Sequence, residues 1–246
     1  MQVGLAIPCY VDQFRPAAAR ATLTLLERLG CQVTLVGNAV CCGQPMANVG
    51  LIAESATTAT RWAEAVSPFA AVVLPSGSCT DHVRRHLAAL VPGPIGGHAA
   101  TATHELCEFI AGPLGRPRLA GRFPHRVAMH LGCHAQRGLR LGGSSELHEA
   151  NTGPMRGLLS GLEGLSLVAL ERADECCGFG GSFSVGEPDI SVAMGRDRLR
   201  DAAARDAEVL VSSDPSCLLH LESIGRASGS GMRTLYIGEL LEEATR

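Results

Sequence analysis

The sequence predicts an α/β protein built from two repeated halves, each with a short parallel sheet flanked by helices. Short β-branched runs bounded by Gly, Pro and Ser alternate with longer Ala- and Leu-rich segments of helical character. One cysteine pattern also occurs twice, as a lone Cys, then Cys-Cys-Gly, then another lone Cys. Because the strand-like runs and the cysteines follow the same order in both copies, the pattern indicates an internal duplication.

The predicted strands lead directly into the lone cysteines. Apolar runs precede each of them, at residues 3–8, 71–78, 127–132 and 209–216. We therefore expect every lone cysteine just beyond the carboxyl end of a parallel strand. That edge is where open, Rossmann-like α/β folds place their ligands. Each half would then gather its thiols into a site of its own.

Helical patterns separate these strands. Residues 16–29 predict a helix, because Pro16 lies near its start and Gly30 just past its end, where these residues are favoured. A strand is predicted to follow at 31–36. In the second half, residues 188–207 predict a helix, with a strand at 208–211. The Gly-, Pro- and Ala-rich stretch between the halves carries a short helical pattern at 103–110. We thus predict a first repeat at 1–100, a connection at 101–126 and a second repeat at 127–246.

Composition excludes several classes of function. The apolar content of 46% is typical of a globular protein. Aromatic residues make up 4% and the net charge is -3, which argues against binding nucleic acid. No apolar run approaches the roughly 18 residues of a membrane span. Residues 1–8 lack the basic flank of a signal peptide, so we expect a first strand there and a cytoplasmic, reducing setting.

Eight of the ten cysteines fall into two sets of four, the number of thiolates that an iron–sulfur cluster or a structural zinc ion needs. The first set is Cys9, Cys41, Cys42 and Cys79. The second set is Cys133, Cys176, Cys177 and Cys217. Glycine lets the backbone approach a bulky inorganic core, so we predict cofactor contacts at the glycines that follow the cysteine pairs, Gly43, Gly178, Gly180 and Gly181.

Spacing favours iron–sulfur over zinc, because structural zinc sites use Cys-x2-4-Cys pairs and no such pair occurs here. Zinc, thiol–disulfide chemistry and plain buried cysteines remain open as alternatives. Cys31 and Cys107 lie outside the repeat, and we interpret both as small core residues.

Four histidines lie close to the cysteines in the sequence. His82 and His86 have the i, i+4 spacing that clasps a metal, yet a solvated helix face explains that spacing equally well. His130 and His134 flank Cys133 and are candidate partners of a cluster beyond its ligands, with ordinary strand-end histidines as the alternative.

Four motifs surround the cysteines: Cys-Cys-Gly-Gln-Pro (41–45), Ser-Gly-Ser-Cys-Thr (76–80), Cys-Cys-Gly-Phe-Gly-Gly-Ser-Phe-Ser-Val (176–185) and Ser-Cys-Leu-Leu (216–219). These motifs resemble those of the CCG-domain iron–sulfur proteins, and nearly the whole chain is similar to the lactate-utilisation protein A family. The CCG-bearing subunit of heterodisulfide reductase and the iron–sulfur subunit of glycolate oxidase are related to it. In the reductase each repeat ends in Cys-x-x-Cys, whereas here Ser76 and Asp214 stand where the extra thiols would be.

The resemblance implies a redox subunit of an oxidoreductase complex that oxidises L-lactate to pyruvate. It implies one or two iron–sulfur clusters, of the 4Fe-4S type, held by the two cysteine sets. The implied partners are lactate-utilisation protein B, which is a ferredoxin-like iron–sulfur protein, and lactate-utilisation protein C. Two alternatives stay open, an iron–sulfur partner of a flavin-dependent glycolate oxidase and a zinc-stabilised, non-catalytic scaffold.

Overall fold

Eight parallel strands form two sheets of four in the computed structural model, which describes residues 1–37, 41–117, 119–144, 147 and 149–246. The first sheet has the order β2-β1-β3-β4 and consists of β1 (Gln2–Leu5), β2 (Gln32–Leu35), β3 (Val72–Leu74) and β4 (Thr103–Glu105). The second sheet has the equivalent order β6-β5-β7-β8 and consists of β5 (Arg126–His130), β6 (Ser166–Val168), β7 (Val209–Ser212) and β8 (Arg233–Tyr236). The predicted α/β fold with two repeated halves is confirmed.

Helices flank both sheets. The first half, from β1 onward, contains α1 (Cys9–Phe14), α2 (Pro16–Arg28), α3 (Gln44–Asn48), α4 (Ile52–Val66), α5 (Gly77–Leu90), α6 (Pro94–Ala102) and α7 (Leu106–Ala111). The second half, from β5 onward, contains a π-helical turn (His134–Gly138), α8 (Pro154–Ser160), α9 (Ser182–Gly186), α10 (Pro188–Ala204), α11 (Pro215–Ala227) and α12 (Ile237–Ala244).

The stretch between the two halves differs from its prediction in one respect. Residues 103–105 form a strand instead of the start of a helix, and α7 begins only at Leu106. The strand forms because Thr103–Glu105 pairs in parallel with Val72–Leu74 of β3. The first sheet therefore extends past residue 100, and the division of the chain at residues 100 and 127 stays a prediction.

The two halves pack by a reciprocal exchange of helices. The last helix of the first half, α7, packs against α8 of the second half, and the last helix of the second half, α12, packs against α2 of the first. The largest apolar core lies in this interface and joins side chains of both sheets, such as Val3 and Val127. Two smaller cores cover the outer faces, one in each half. The shared core fixes the carboxyl edges of the two sheets relative to each other.

Candidate metal centre

The four lone cysteines lie where the strand order opens a crevice. In each sheet the second strand lies on one side of the first strand, and the third strand lies on the other side. The chain connections therefore diverge between the carboxyl ends of β1 and β3 in one sheet, and between those of β5 and β7 in the other. Each lone cysteine follows one of these four strands by three to five residues. The expected position of Cys9, Cys79, Cys133 and Cys217 beyond the strand ends is confirmed.

The glycines after the two cysteine pairs are required by backbone shape and close packing. Gly43 has a φ of 96°, and a Cβ there would lie 2.7 Å from Ser55 Oγ. Gly178 has a φ of 89°, and a Cβ there would lie 2.5 Å from the backbone oxygen of Ser191. Both positive-φ turns therefore press the cysteine-pair loop against a nearby helix, α4 or α10. The positive φ and this close packing both require glycine.

The four thiols of each set interact in sequence and shift one another's pKa, in the order Cys9–Cys41–Cys42–Cys79 in the first set and Cys133–Cys176–Cys177–Cys217 in the second. All ten cysteines of the chain are free thiols. The same order of contacts in both halves follows from their equivalent strand order. Each set thus brings four sulfur donors together without a disulfide.

One thiol in each set is stabilised as a thiolate. Hydrogen bonds from the Cys42 and Cys9 thiols lower the pKa of Cys41 to about 3, and hydrogen bonds from the Cys133 and Cys177 thiols lower the pKa of Cys176 to about 2. The backbone N–H of the following glycine also donates to each sulfur, at 3.5 Å to Cys41 Sγ and 3.4 Å to Cys176 Sγ. Anionic sulfur is the form that binds metal.

The two sets open onto one common cavity of about 220 Å³, which is lined by all eight cysteines and which we call the shared cavity. Gly180 and Gly181 also line it. The expectation that each half gathers its thiols into a site of its own stays a prediction, and the two sets line the same cavity. The reciprocal packing of α2 with α12 and of α7 with α8 turns the two carboxyl edges toward each other, so the two thiol sets face the same space.

Asp214 connects the two halves at this cavity. Its carboxylate caps α11 by accepting hydrogen bonds from the Ser216 backbone N–H at 3.0 Å and from Ser216 Oγ at 2.7 Å. It also reaches into the first half, where it accepts from the Ser78 backbone N–H at 2.6 Å and from the Tyr10 hydroxyl at 3.0 Å. Asp214 is 2% exposed. A single buried carboxylate thus holds the start of α5 against the start of α11.

A second cross-connection joins His134 to the first half. The side-chain amide nitrogen of Gln44 lies 3.3 Å from His134 Nε2. Because that amide nitrogen only donates, the imidazole Nε2 accepts, and Nδ1 carries the proton. Nδ1 lies 3.6 Å from Cys133 Sγ, so the ring directs an N–H toward this thiol. His134 therefore contacts a thiol of the second set as well as the loop that follows the first cysteine pair.

His130 lies against the second set. Its ring nitrogen, Cys177 Sγ and Cys217 Sγ all lie within 4.8 Å of one another, and all three residues are buried. Neither ring nitrogen has a hydrogen-bond partner among the described residues. Burial, together with the nearby Arg198 guanidinium, lowers the pKa of His130 to about 4. The residue therefore offers a neutral, unpartnered imidazole beside two of the four thiols.

The remaining residues of interest lie apart from the shared cavity. His82 is buried, and its pKa falls to about 4 because of burial and the neighbouring His86 ring, whose centroid lies 5.6 Å away. His86 itself is exposed, so the pair does not form an enclosed metal site. Cys31 and Cys107 are buried in the core between the halves, as predicted.

Sequence reasoning missed several residues that line the shared cavity, Tyr10, Gln44, Ser78, Asp214 and Ser216. An alignment of the two repeats carries a signal for two of these positions. Tyr10 and His134 each follow the first cysteine of a repeat, and Asp214 occupies the position of Ser76, three residues before the last cysteine. Both Tyr10 and His134 contact the opposite half.

The donor chemistry of the site fits a metal group rich in sulfur ligands. Each set supplies four free thiols in mutual contact, backbone N–H groups directed at sulfur, and little competing oxygen chemistry apart from Asp214, whose two oxygens are already engaged by four hydrogen bonds. Thiolate ligands select zinc and iron–sulfur clusters over magnesium or calcium. Among the helices of the described residues, none is long and apolar enough to cross a lipid bilayer.

Known proteins share both the sequence and the fold of this chain. The CCG cysteine-rich domain model matches residues 3–84 and 127–222, which correspond to the two thiol-bearing repeats. A crystal structure of a hypothetical protein from Helicobacter pylori superposes with a TM-score of 0.63 over 99% of this chain and 49% of that one. Its sequence identity is 9%, so the likeness shows a common fold, and this chain spans about half the length of that protein.

Relatives of similar length match over the whole chain. Lactate utilization protein A of Exiguobacterium sp. is 34% identical over 99% of this chain and 98% of its own length. Lactate utilization protein A of Bacillus subtilis is 33% identical over 98% of this chain and 99% of its own. Both domain matches and both full-length matches agree with the repeat and with the cysteine sets described above. The chain therefore belongs to the lactate utilization protein A family of CCG cysteine-rich-domain proteins.

Proposed function

We propose that this chain is the iron–sulfur electron-transfer subunit of a system that oxidises L-lactate to pyruvate. The observation that carries the proposal is the convergence of two complete sets of four thiols on one cavity. Four thiolates per set match the ligand number of a 4Fe-4S cluster. Two such groups beside one cavity would let electrons pass between them over a short distance.

The first set, Cys9, Cys41, Cys42 and Cys79, would hold one cluster, and the second set, Cys133, Cys176, Cys177 and Cys217, would hold the other. A bound cluster supplies reversible one-electron chemistry. The protein lowers the cost of collecting so much negative charge in two ways. Backbone N–H groups of Gly43 and Gly178 donate to sulfur. Cys79 and Cys217 lie in the first turns of α5 and α11, where the helix dipole favours a thiolate.

The assignment to lactate rests on the relatives, whose names state a role in lactate utilization. Oxidation of lactate to pyruvate releases two electrons and two protons. A protein with two one-electron centres accepts such a pair of electrons and passes it on singly. In the proposed complex the partners are the ferredoxin-like lactate-utilisation protein B and lactate-utilisation protein C, and the setting is the cytoplasm.

The first experiment measures iron, acid-labile sulfide and zinc on anaerobically purified protein, with electron paramagnetic resonance spectra before and after dithionite. Equal iron and sulfide, with a signal that changes on reduction, is the expected result. A colourless protein that contains zinc and no sulfide would overturn the redox role. Growth on L-lactate after deletion of the gene tests the pathway separately, and normal growth would remove lactate from the proposal.

One observation favours zinc as the competing ligand. His130, Cys177 and Cys217 place one nitrogen and two sulfur atoms within 4.8 Å of one another, which suits a mononuclear ion. The first set has no counterpart of this histidine, because Ala6 occupies the equivalent position. A zinc site that uses this histidine would therefore occur in the second half only. The metal analysis above distinguishes this outcome from two iron–sulfur clusters.

A further inference from the structure

The buried imidazole of His130 does not belong to either of the two cysteine sets proposed above as cluster ligands. It lies at the end of β5 with 0% exposure, and neither ring nitrogen meets a partner among the described residues. A buried hydrogen-bond donor that is left unpaired destabilises the fold. A second observation indicates where the missing hydrogen-bond partner would lie. A ring nitrogen of His130, Cys177 Sγ and Cys217 Sγ all lie within 4.8 Å of one another.

The charged groups near His130 are the Arg198 guanidinium, the Asp214 carboxylate and the Cys176 thiolate. Arg198 donates to the backbone oxygens of Arg172 and Glu175, and Asp214 accepts from Tyr10, Ser78 and Ser216. Sulfur atoms are therefore the acceptors that remain beside the imidazole. A group built from thiolates and inorganic sulfide at the second set would supply such an acceptor.

The first set lacks this donor. β1 and β5 occupy the same place in their sheets, and the first cysteine of each set follows them. Three residues before that cysteine stand Ala6 in the first half and His130 in the second. Ala6 is fully buried and carries only a methyl group. The buried imidazole near the first set, His82, belongs to α5 and not to the end of the first strand. The two sets therefore differ at the strand-end position by one N–H donor.

We propose that His130 donates an N–H hydrogen bond to a sulfur of the cluster held by the second set, and that this bond raises the reduction potential of that cluster. The inference rests on the proposed function above. A hydrogen bond to sulfur stabilises the reduced, more negative form more than the oxidised form.

The test is a redox titration followed by electron paramagnetic resonance on the anaerobic protein, with the wild type, His130→Ala and His130→Gln compared. Cys42→Ser and Cys177→Ser first assign each signal to its set. In His130→Ala we expect the one-electron equilibrium of the second cluster to shift at least tenfold toward the oxidised form, which is about 59 mV. The glutamine variant keeps an N–H donor and should retain most of the wild-type potential, and the first cluster should not move.

His125→Ala is the matched control, because His125 precedes the same strand but contacts Glu208 at its far end. Unchanged midpoints in His130→Ala would overturn the inference and leave the proposed function intact, whereas absence of iron and sulfide from the wild type would overturn the proposed function itself. Labelling histidine with ¹⁵N gives a second readout, and comparison with His130→Ala separates His130 from His134, which lies beside Cys133. Weak coupling to the second cluster that disappears in the variant supports the hydrogen bond, whereas strong coupling of a nitrogen bonded to iron, or coupling that the variant leaves unchanged, contradicts it.

Discussion

The two halves of this protein hold their thiols in the same order but surround them with different polar groups. In the first half, Ser76 caps α5 with its hydroxyl, which accepts from the Cys79 backbone N–H at 3.1 Å. At the equivalent position of the second half, Asp214 caps α11 and also binds across the interface to Tyr10 and Ser78. The first half therefore depends on a charge that the second half supplies.

This comparison shows that both halves retain the same arrangement of thiols, whereas the polar side chains around the thiols differ between the halves. A buried cavity cannot accommodate many charges, because each one must be fully hydrogen-bonded. One carboxylate, engaged from both sides, satisfies the starts of two helices at once. The halves also differ at the end of their first strand. The second half has the buried His130 there, whereas the first half has the buried Ala6 at the equivalent position. The predictions below test how far the halves are equivalent and where they diverge.

The largest expected effect is the loss of one cluster when a cysteine at the centre of either set is replaced. Cys42→Ser and Cys177→Ser are matched variants, because these residues hold equivalent places in the two thiol chains. Each variant should lose about half of the iron and acid-labile sulfide, since four thiolates hold each cluster. Metal analysis of anaerobically purified protein measures the loss.

Cys31→Ala is the control for this comparison, because Cys31 is buried in the core but does not line the shared cavity. Its iron content should equal that of the wild type. If either serine variant retained all of its iron and sulfide, the ligand assignment of that set would be wrong. If one serine variant lost all of its iron, the two sets would depend on each other through the cavity that they share.

The two helix caps should differ strongly in their contribution to stability. Asp214→Ala leaves the Tyr10 hydroxyl and two backbone N–H groups without their acceptor, and hydrogen bonds to a charged group contribute about 1.5–3 kcal/mol each. We expect the free energy of unfolding to fall by about 4 kcal/mol. Ser76→Ala removes an ordinary cap and should cost about 1 kcal/mol. Urea denaturation of the reduced protein gives both values, and equal losses would contradict a cross-connecting role for Asp214.

A buried carboxyl group makes the stability of the first half depend on pH. Glu105 ends β4, and burial raises its pKa from 4.5 to about 8. Its counterpart at the end of β8, Tyr236, has a pKa raised well above its ordinary value by burial and by the charge of Glu105, so it stays neutral. Folded Glu105 keeps a proton that the unfolded chain releases. Its stabilising contribution is therefore complete below 4.5 and is lost as the pH rises to about 8.

Glu105→Gln isolates this contribution, because glutamine has the same shape and keeps an acceptor for the N–H groups of Cys107 and Glu108. Near pH 4.5 the variant and the wild type should unfold with similar free energies. As the pH approaches 8, the wild type should lose about 4 kcal/mol relative to the variant. Urea denaturation across this range measures the difference. Parallel pH profiles would show that Glu105 ionises in the folded protein as freely as in the unfolded chain.

Sequence patterns predicted most of the fold, because local signals fix where elements begin and end. Pro16 and the glycine after residue 29 bracket α2, which spans Pro16–Arg28, and the predicted helix at 188–207 is α10, Pro188–Ala204. The strand Thr103–Glu105 was mistaken for a helix because three residues carry no period, and its pairing with β3 decides its conformation. The lone cysteines could be placed because parallel strands all end at one edge of a sheet.

The shared cavity could not be predicted, because it depends on how α2 packs against α12 and α7 against α8, which no local pattern encodes. Asp214 illustrates the same limit. From the sequence it is only a residue that replaces an expected thiol, whereas the structure gives it four hydrogen bonds and partners in both halves. The glycines after the cysteine pairs were expected to make room for an inorganic core. The structure shows that Gly43 and Gly178 also pack closely against α4 and α10, and their contact with a cofactor stays a prediction.

The smallest expected effects concern these glycines, and they separate packing from conformational strain. In Gly178→Ala the new methyl group would meet the Ser191 backbone oxygen at 2.5 Å, and in Gly43→Ala it would meet Ser55 Oγ at 2.7 Å, while both residues have a positive φ. We expect each change to lower the free energy of unfolding by about 2 kcal/mol. Gly181 also has a positive φ, of 60°, but no atom lies within 4 Å of the added carbon.

Gly181→Ala therefore reports only the strain of a positive-φ backbone conformation that L residues rarely adopt, and it should cost about 1 kcal/mol. Urea denaturation of the three variants, with iron content measured on the same samples, tests the comparison. If the loop after each cysteine pair is held by its helix, the two crowded variants should lose both stability and iron, and Gly181→Ala should keep its iron. Should Gly181→Ala lose as much iron as Gly178→Ala, close approach of the backbone to the cluster, and not packing against α10, would be the reason that glycine follows the second cysteine pair.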